Sequence, residues 1–222
     1  MASLTRISRF GMVNAYLVRE DDGFTVVDTM LLGGAKQIVR EAERAGAPIV
    51  RIVLTHAHGD HIGSLDDLAG MLPGAEVIIS ERDARLLAED TSLDPGEPQD
   101  KLRGSYPGAK TRPNRVVNGG DRIDSLEVVP APGHTPGHIA LIDTRDRTLL
   151  CADAFSTLGG VETTARVNWR FPLPGMATWH RPTELESARR LRELEPARLA
   201  PGHGRVVDSS GAAMDAAIRR AS

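Results

Sequence analysis

A chain of 222 residues, 41% hydrophobic and 26% charged, can bury a sizeable core, which excludes wholesale disorder. Its net charge of -3 leaves no basic footprint for nucleic acid, and no apolar run reaches the length of a membrane span. The single cysteine, Cys151, excludes an internal disulfide, and the N-terminal MASLTRISRF lacks the apolar core of a secretory leader, so a soluble cytoplasmic protein is expected.

Residues 12–19 and 24–28 read as two strands joined by a turn at Asp21-Asp22-Gly23. Ala35, Ile38, Val39, Ala42 and Ala45 then recur on one helical face, closed by Gly46. The apolar run 49–54 predicts a buried strand. Ser64 with Asp67, and Ser80 with Asp83, read as helix N-caps, with a strand at 76–79 between them. Residues 91–114 carry four prolines and no apolar period, which predicts a long loop of the kind that is often functional. Strands are expected at 115–117, 126–130, 138–142 and 148–152, with a turn at Asp143–Arg147. A second irregular stretch, 156–180, is followed by a capping box at Thr183 and Glu186. The helix behind it carries Leu185, Ala188, Leu191 and Leu194 on one stripe. A strand near 198–200 and a helix at 211–220 complete a pattern of sheets with helices outside, with no linker between independent domains.

The densest chemistry lies in THAHGDHIG, residues 55–63, directly after the strand at 49–54. Neutral imidazole and carboxylate are the ligands of zinc and related divalent ions. Four such groups this close suit two ions better than one, with His56 and His58 on the first and Asp60 and His61 on the second. Three later segments add His134 in APGHTPGH, Asp153 in CADAF and His203 in APGHG, each at the end of a strand signal. A single loop histidine is weak evidence for a ligand, but together these supply what a two-metal site still lacks.

The set THAHGDHIG, GHTPGH, CAD and PGHG, in that order, resembles the metallo-β-lactamase superfamily. The resemblance runs from about Asp28 to His203. It implies an α+β fold, a four-layer αββα sandwich, with residues 1–222 as a single domain. It further implies that His56, His58 and His134 hold one metal and that Asp60, His61 and His203 hold the other. Asp153 would bridge both, and Asp28 would stand behind the histidines as a supporting partner. Thr29-Met30 departs from the family, which often has glycine after that threonine.

Two ions about 3.5–4 Å apart would hold a bridging hydroxide that attacks the substrate carbonyl, with Asp60 orienting it and taking its proton. The cofactors are then two zinc ions, with iron or manganese as other ions the ligands accept. The substrate is a small molecule: a lactone, ester or thioester. The alternatives are a sulfur dioxygenase of the same superfamily with one iron, or a β-lactamase-like amide hydrolase. Lactonases of the superfamily carry a tyrosine shortly after the bridging aspartate. Here Ala-Phe-Ser-Thr follows Asp153, and Ser156 is the group that could donate instead. Glyoxalase-type thioesterases of the superfamily carry basic residues in the C-terminal region for their thiol cofactor, and that resemblance makes Arg166 and Arg170 candidate contacts for it. Trp169, Phe171 and Trp179 read as an apolar substrate wall, against the alternative that they pin their loop to the core. His138 reads equally as a partner of a ligand or as a self-satisfied histidine. His180 reads as an ordinary loop histidine and Cys151 as packing.

Overall fold

The first sheet is laid down in chain order. Its strands are β1 (Leu4–Arg9), β2 (Val13–Arg19), β3 (Phe24–Val27), β4 (Ile49–Val53), β5 (Glu76–Ser80) and β6 (Arg115–Val117), and their spatial order is the same. The first two pairings are antiparallel hairpin contacts, and β3, β4, β5 and β6 run parallel. These positions belong to a computed structural model that describes residues 3–222. Met1 and Ala2, the start of the segment in which no leader is expected, lie outside the described residues. Parallel neighbours need crossovers, which are supplied here by α1 (Ala35–Arg44) and by the pair α2 (Gly59–Ile62) and α3 (Leu65–Met71). Helix α4 (Glu81–Leu87) comes after β5, and the 91–114 stretch contains no helix or strand, as expected. Ile52, Val53 and Leu54 are fully buried, which at roughly 1.5–3 kcal/mol per large side chain makes β4 a stiff base for the histidine-rich turn at its end.

The second sheet holds β7 (Arg122–Ile123), β8 (Leu126–Pro130), β9 (Ile139–Asp143), β10 (Thr148–Ala152), β13 (Arg198–Pro201) and β14 (Val207–Asp208), in the spatial order β14-β13-β10-β9-β8-β7. The small hairpin of β11 (Phe155–Ser156) and β12 (Glu162–Thr163) stands apart from it. Within this sheet, among the described residues, only β10 and β13 are parallel neighbours. Their crossover includes α5 (Leu173–Ala177) and α6 (Arg181–Glu193), and α7 (Gly211–Ala221) closes the chain. Ala188 and Leu191 of α6 and Met214 and Ala217 of α7 pack with Ile142, Leu149, Cys151 and Phe155 in one buried cluster. The chain divides into two units: one runs to Asp90 and resumes over Tyr106–Val117, and the other takes Thr91–Ser105 and Asn118–Ser222.

Several local expectations change. Helix α6 begins before the supposed capping box: His180 is its N-cap and accepts from the Thr183 amide, with Pro182 in the first turn. The box fails because proline fixes the backbone for helix entry one turn earlier. Ser80 does cap α4 through the Asp83 amide, whereas Ser64 bonds elsewhere, accepting from Gly34 N at 2.7 Å and donating to Leu31 O at 2.6 Å. The stretch 156–180 is only partly irregular, since it contains β12 and α5.

Candidate metal centre

In the first unit, the parallel strands β3 and β4 both end in chemistry. Asp28 follows β3 in a left-handed conformation (φ 63°), and Thr55-His56 follow β4 after Leu54. A carboxylate in that conformation costs about 1–3 kcal/mol of strain, which its contacts must offset. Those contacts are dense. Asp28 Oδ1 accepts from the Thr55 amide at 2.8 Å, and Oδ2 accepts from Thr55 Oγ1 at 2.8 Å. The same Oδ2 lies 2.8 Å from His61 Nδ1. Thr55 Oγ1 is also 3.0 Å from His56 Nδ1. Two imidazoles are therefore held by their Nδ1 atoms, which makes Nε2 the candidate ligand atom of each ring. His61 Nε2 lies 3.9 Å from Asp60 Oδ2, and ligand atoms of His56 and His58, and of His56 and His61, fall within 4.8 Å of each other. The one-turn helix α2 presents Asp60 and His61 together, and Asp83 Oδ2 steadies the turn by accepting from Ala57 N at 3.0 Å. Tyr106, from the long loop, lays its ring 4.7 Å from that of His58. Burial, and then the charge of Asp83, push the Tyr106 hydroxyl well above its ordinary value, so it stays protonated.

In the second unit, the segments after three strands supply one candidate ligand each. Asp153 follows β10, whose last residue Ala152 is itself left-handed (φ 42°), and His203 follows the parallel β13. Asp153 Oδ2 stands 3.1 Å from His203 Nε2 and 3.3 Å from His134 Nε2. His134 is oriented by Thr178 Oγ1, 3.0 Å from its Nδ1, so here too Nε2, the nitrogen on the Asp153 side, is the candidate ligand atom. The loop carrying His134 is wedged against the start of α6. A Cβ on Gly133, whose φ is +132°, would lie 2.3 Å from Glu184 N, so only glycine fits. Ser187 Oγ donates to Pro132 O at 2.6 Å, and the Trp179 amide donates to His134 O at 3.1 Å. Burial pushes the fully enclosed Glu184 carboxyl well above the usual carboxylate range.

The supporting residues outside the ligand set fall unevenly. His138 is buried, with Nδ1 2.8 Å from Ala131 O, its own loop, and its ring lies 5.9 Å from that of His134. Ser156 does not hold a free hydroxyl: its Oγ donates to His203 O at 3.4 Å and accepts from Leu158 N. Trp179 is 4% exposed and donates through Nε1 to Asp100 O at 2.8 Å, which makes it a clamp on the long loop and corrects its place in the wall. Phe171 stays with the site, 5.4 Å from the His203 ring, while Trp169 is 82% exposed. Cys151 is fully buried packing, and burial pushes its thiol up. The sequence reasoning missed Thr55 and Thr178 as histidine anchors and Asp83 as the brace of the motif. Thr55 lies inside the quoted motif, and a hydroxyl beside a ligand histidine is the signal for it.

A family model described as "Metallo-beta-lactamase superfamily" matches residues 8–203. The Bacillus subtilis (strain 168) protein YobT, itself uncharacterized, is 44% identical over 210 residues, which cover 94% of this chain and 90% of YobT. A hydroxyacylglutathione hydrolase from Xanthomonas oryzae pv. oryzae (strain MAFF 311018) is 31% identical over 143 residues, 64% of this chain and 46% of that enzyme. The structure of TTHA1623 in a di-iron-bound form superposes with a TM-score of 0.67 at 24% identity, covering 93% of this chain and 94% of that one. The α+β fold expected from the sequence is thereby shown to be that of the metallo-β-lactamases. The chain belongs to the metallo-beta-lactamase superfamily and is a metal-dependent hydrolase.

Proposed function

We propose that this chain, acting as one domain, is a dinuclear hydrolase, most naturally with zinc, that cleaves a thioester, ester or lactone. His56, His58 and His134 would hold one ion, Asp60, His61 and His203 the other, and Asp153 both. The observation that carries the reading is the anchoring of imidazoles through Nδ1, by Thr55 for His56, Asp28 for His61 and Thr178 for His134. Packing alone has no reason to aim imidazole Nε2 atoms at carboxylate oxygens, and the donor set of nitrogen and carboxylate oxygen fits zinc, iron or manganese. Divalent ions bound here would supply an activated water and positive charge for the developing oxyanion. Asp60, half-buried beside His61, would accept the proton released by that water. Phe171 would line the acyl side, and the Trp179 clamp would hold loop 91–114 against Asp100. The hydroxyacylglutathione hydrolase relative favours thioesters within this class, and the di-iron form of TTHA1623 makes iron the metal to compare with zinc.

The test joins elemental analysis to a hydrolysis screen of thioesters, lactones and β-lactams on zinc- and iron-loaded protein. About two equivalents of metal and metal-dependent thioester or lactone cleavage are expected. A stoichiometry fixed at one, or oxygen uptake with a persulfide in place of hydrolysis, overturns the reading.

A further inference from the structure

A cavity of about 510 Å³ opens in the second unit between the turn Gly159-Gly160, the stretch Arg166–Arg170 and Arg220 of α7. Its size lies within the roughly 300–1,000 Å³ of small-molecule sites. Three guanidiniums line it against one carboxylate, Glu162, and Arg220 Nε already holds that carboxylate at 2.8 Å. The guanidiniums of Arg166 and Arg170 make no hydrogen bond or ion pair among the described residues. Beside them stands Trp169, 82% exposed in a chain that buries its other tryptophan to 4%.

This wall is fixed rather than loose. Asn168 Oδ1 accepts from Arg170 N at 3.1 Å, Asn168 Nδ2 donates to Leu158 O at 3.4 Å, and Phe171 N donates to Asn168 O at 2.9 Å. A Cβ on Gly159, at φ +81°, would come within 2.8 Å of Arg170 Cβ, so the absence of a side chain there is what lets the arginine stem lie along the cavity. An uncompensated guanidinium pair seeks oxyanions, which its planar fork can hold with two hydrogen bonds, and an open indole face seeks a flat ring. Two arginines and a tryptophan five residues apart or less on one braced turn ask for both features in one ligand.

We propose that this cavity binds a ligand in which a phosphate or carboxylate is joined to a planar ring, the anion on Arg166 and Arg170 and the ring on Trp169. The source is either the far end of the substrate or a separate effector. The wall leads through Arg170 directly into Phe171, whose ring faces His203. The site does not depend on the metal assignment, because binding is read without turnover.

The probes are adenosine monophosphate, adenosine and inorganic phosphate, titrated by calorimetry and by indole fluorescence. The nucleotide should bind saturably and more tightly than either fragment. The double variant R166A/R170A should weaken it by about tenfold or more while leaving adenosine unchanged, and W169A should weaken both ring-bearing probes. Both arginines are exposed, so folding is not at stake. Nucleotide binding no tighter than adenosine, or unchanged in the double variant, overturns the proposal. If bound nucleotide competes with the substrate found in the screen, raising KM alone, the cavity takes the substrate's own tail; if it changes kcat without competing, the occupant is a separate effector.

Discussion

The two sets of candidate ligands are built in opposite ways. In the first unit, four candidate ligands lie within six consecutive positions, and one carboxylate, Asp28, braces the group from the neighbouring strand end. In the second, His134, Asp153 and His203 come from three separate strand ends, and Asp153 meets a histidine 50 positions away. The first set is fixed by a local turn and the second by sheet register. A local turn tolerates change elsewhere, whereas a set assembled from three strands inherits every error in the pairing of β10 with β13 and in the seating of the His134 loop on α6.

That contrast can be tested by removing one group at a time. Asp153→Ala takes away the carboxylate that both second-unit histidines face, and turnover should fall by more than about a thousandfold with a loss of bound metal measured by elemental analysis. Retention of both ions would mean that the set does not converge on this oxygen. Asp28→Ala removes a brace shared by Thr55 and His61, and metal affinity read by chelator competition should drop about 10–100-fold. Thr178→Val removes a neutral partner of one histidine only, so the loss should be smaller, about tenfold or less. A larger loss for Thr178→Val than for Asp28→Ala would break the comparison, since it would make the single hydroxyl outweigh the shared carboxylate.

The smallest effect concerns the long loop where it returns to the first unit. Burial works to raise the Asp66 carboxyl, but the amides of Lys110 and Thr111, at 3.0 and 2.7 Å, outweigh it and hold the group below its ordinary 3.8. A lowered value means that the ionised form is favoured in the fold. The clamp is therefore present above pH 3.8 and is lost as pH falls through the folded value. Hydrogen exchange at Lys110 and Thr111 should accelerate several-fold in Asp66→Ala near neutrality. It should converge with the parent protein in acid. Equal exchange at neutral pH would mean that Asp66 does not tether the loop.

Legibility in the sequence obeys the same divide. THAHGDHIG announces itself because its candidate ligands are neighbours; β2, β3, β4 and β5 stand out as short, mostly apolar runs, and α1 because its apolar residues recur at helical spacing. Strand β1, LTRISR, buries only Ile7, so it carries no apolar alternation to detect, and β7 is two residues long. The start of α6 is hidden because its buried face includes Glu184 and Ser187, which a hydrophobic stripe passes over. Trp179 illustrates the limit for side chains: a scarce aromatic in a loop near the site looks the same in sequence whether it faces a substrate or, as here, ties down Asp100.

Ala152, bent into the left-handed region one position before Asp153, has a consequence for how this protein can change. Glycine would sit there without strain and would keep the same bend, so Ala152→Gly leaves the route from β10 to Asp153 in place. A β-branched residue cannot hold that conformation cheaply, and Ala152→Val would pull the strand end straight and swing Asp153 away from His134 and His203. The size of one side chain that touches neither histidine thus limits what this strand end can carry.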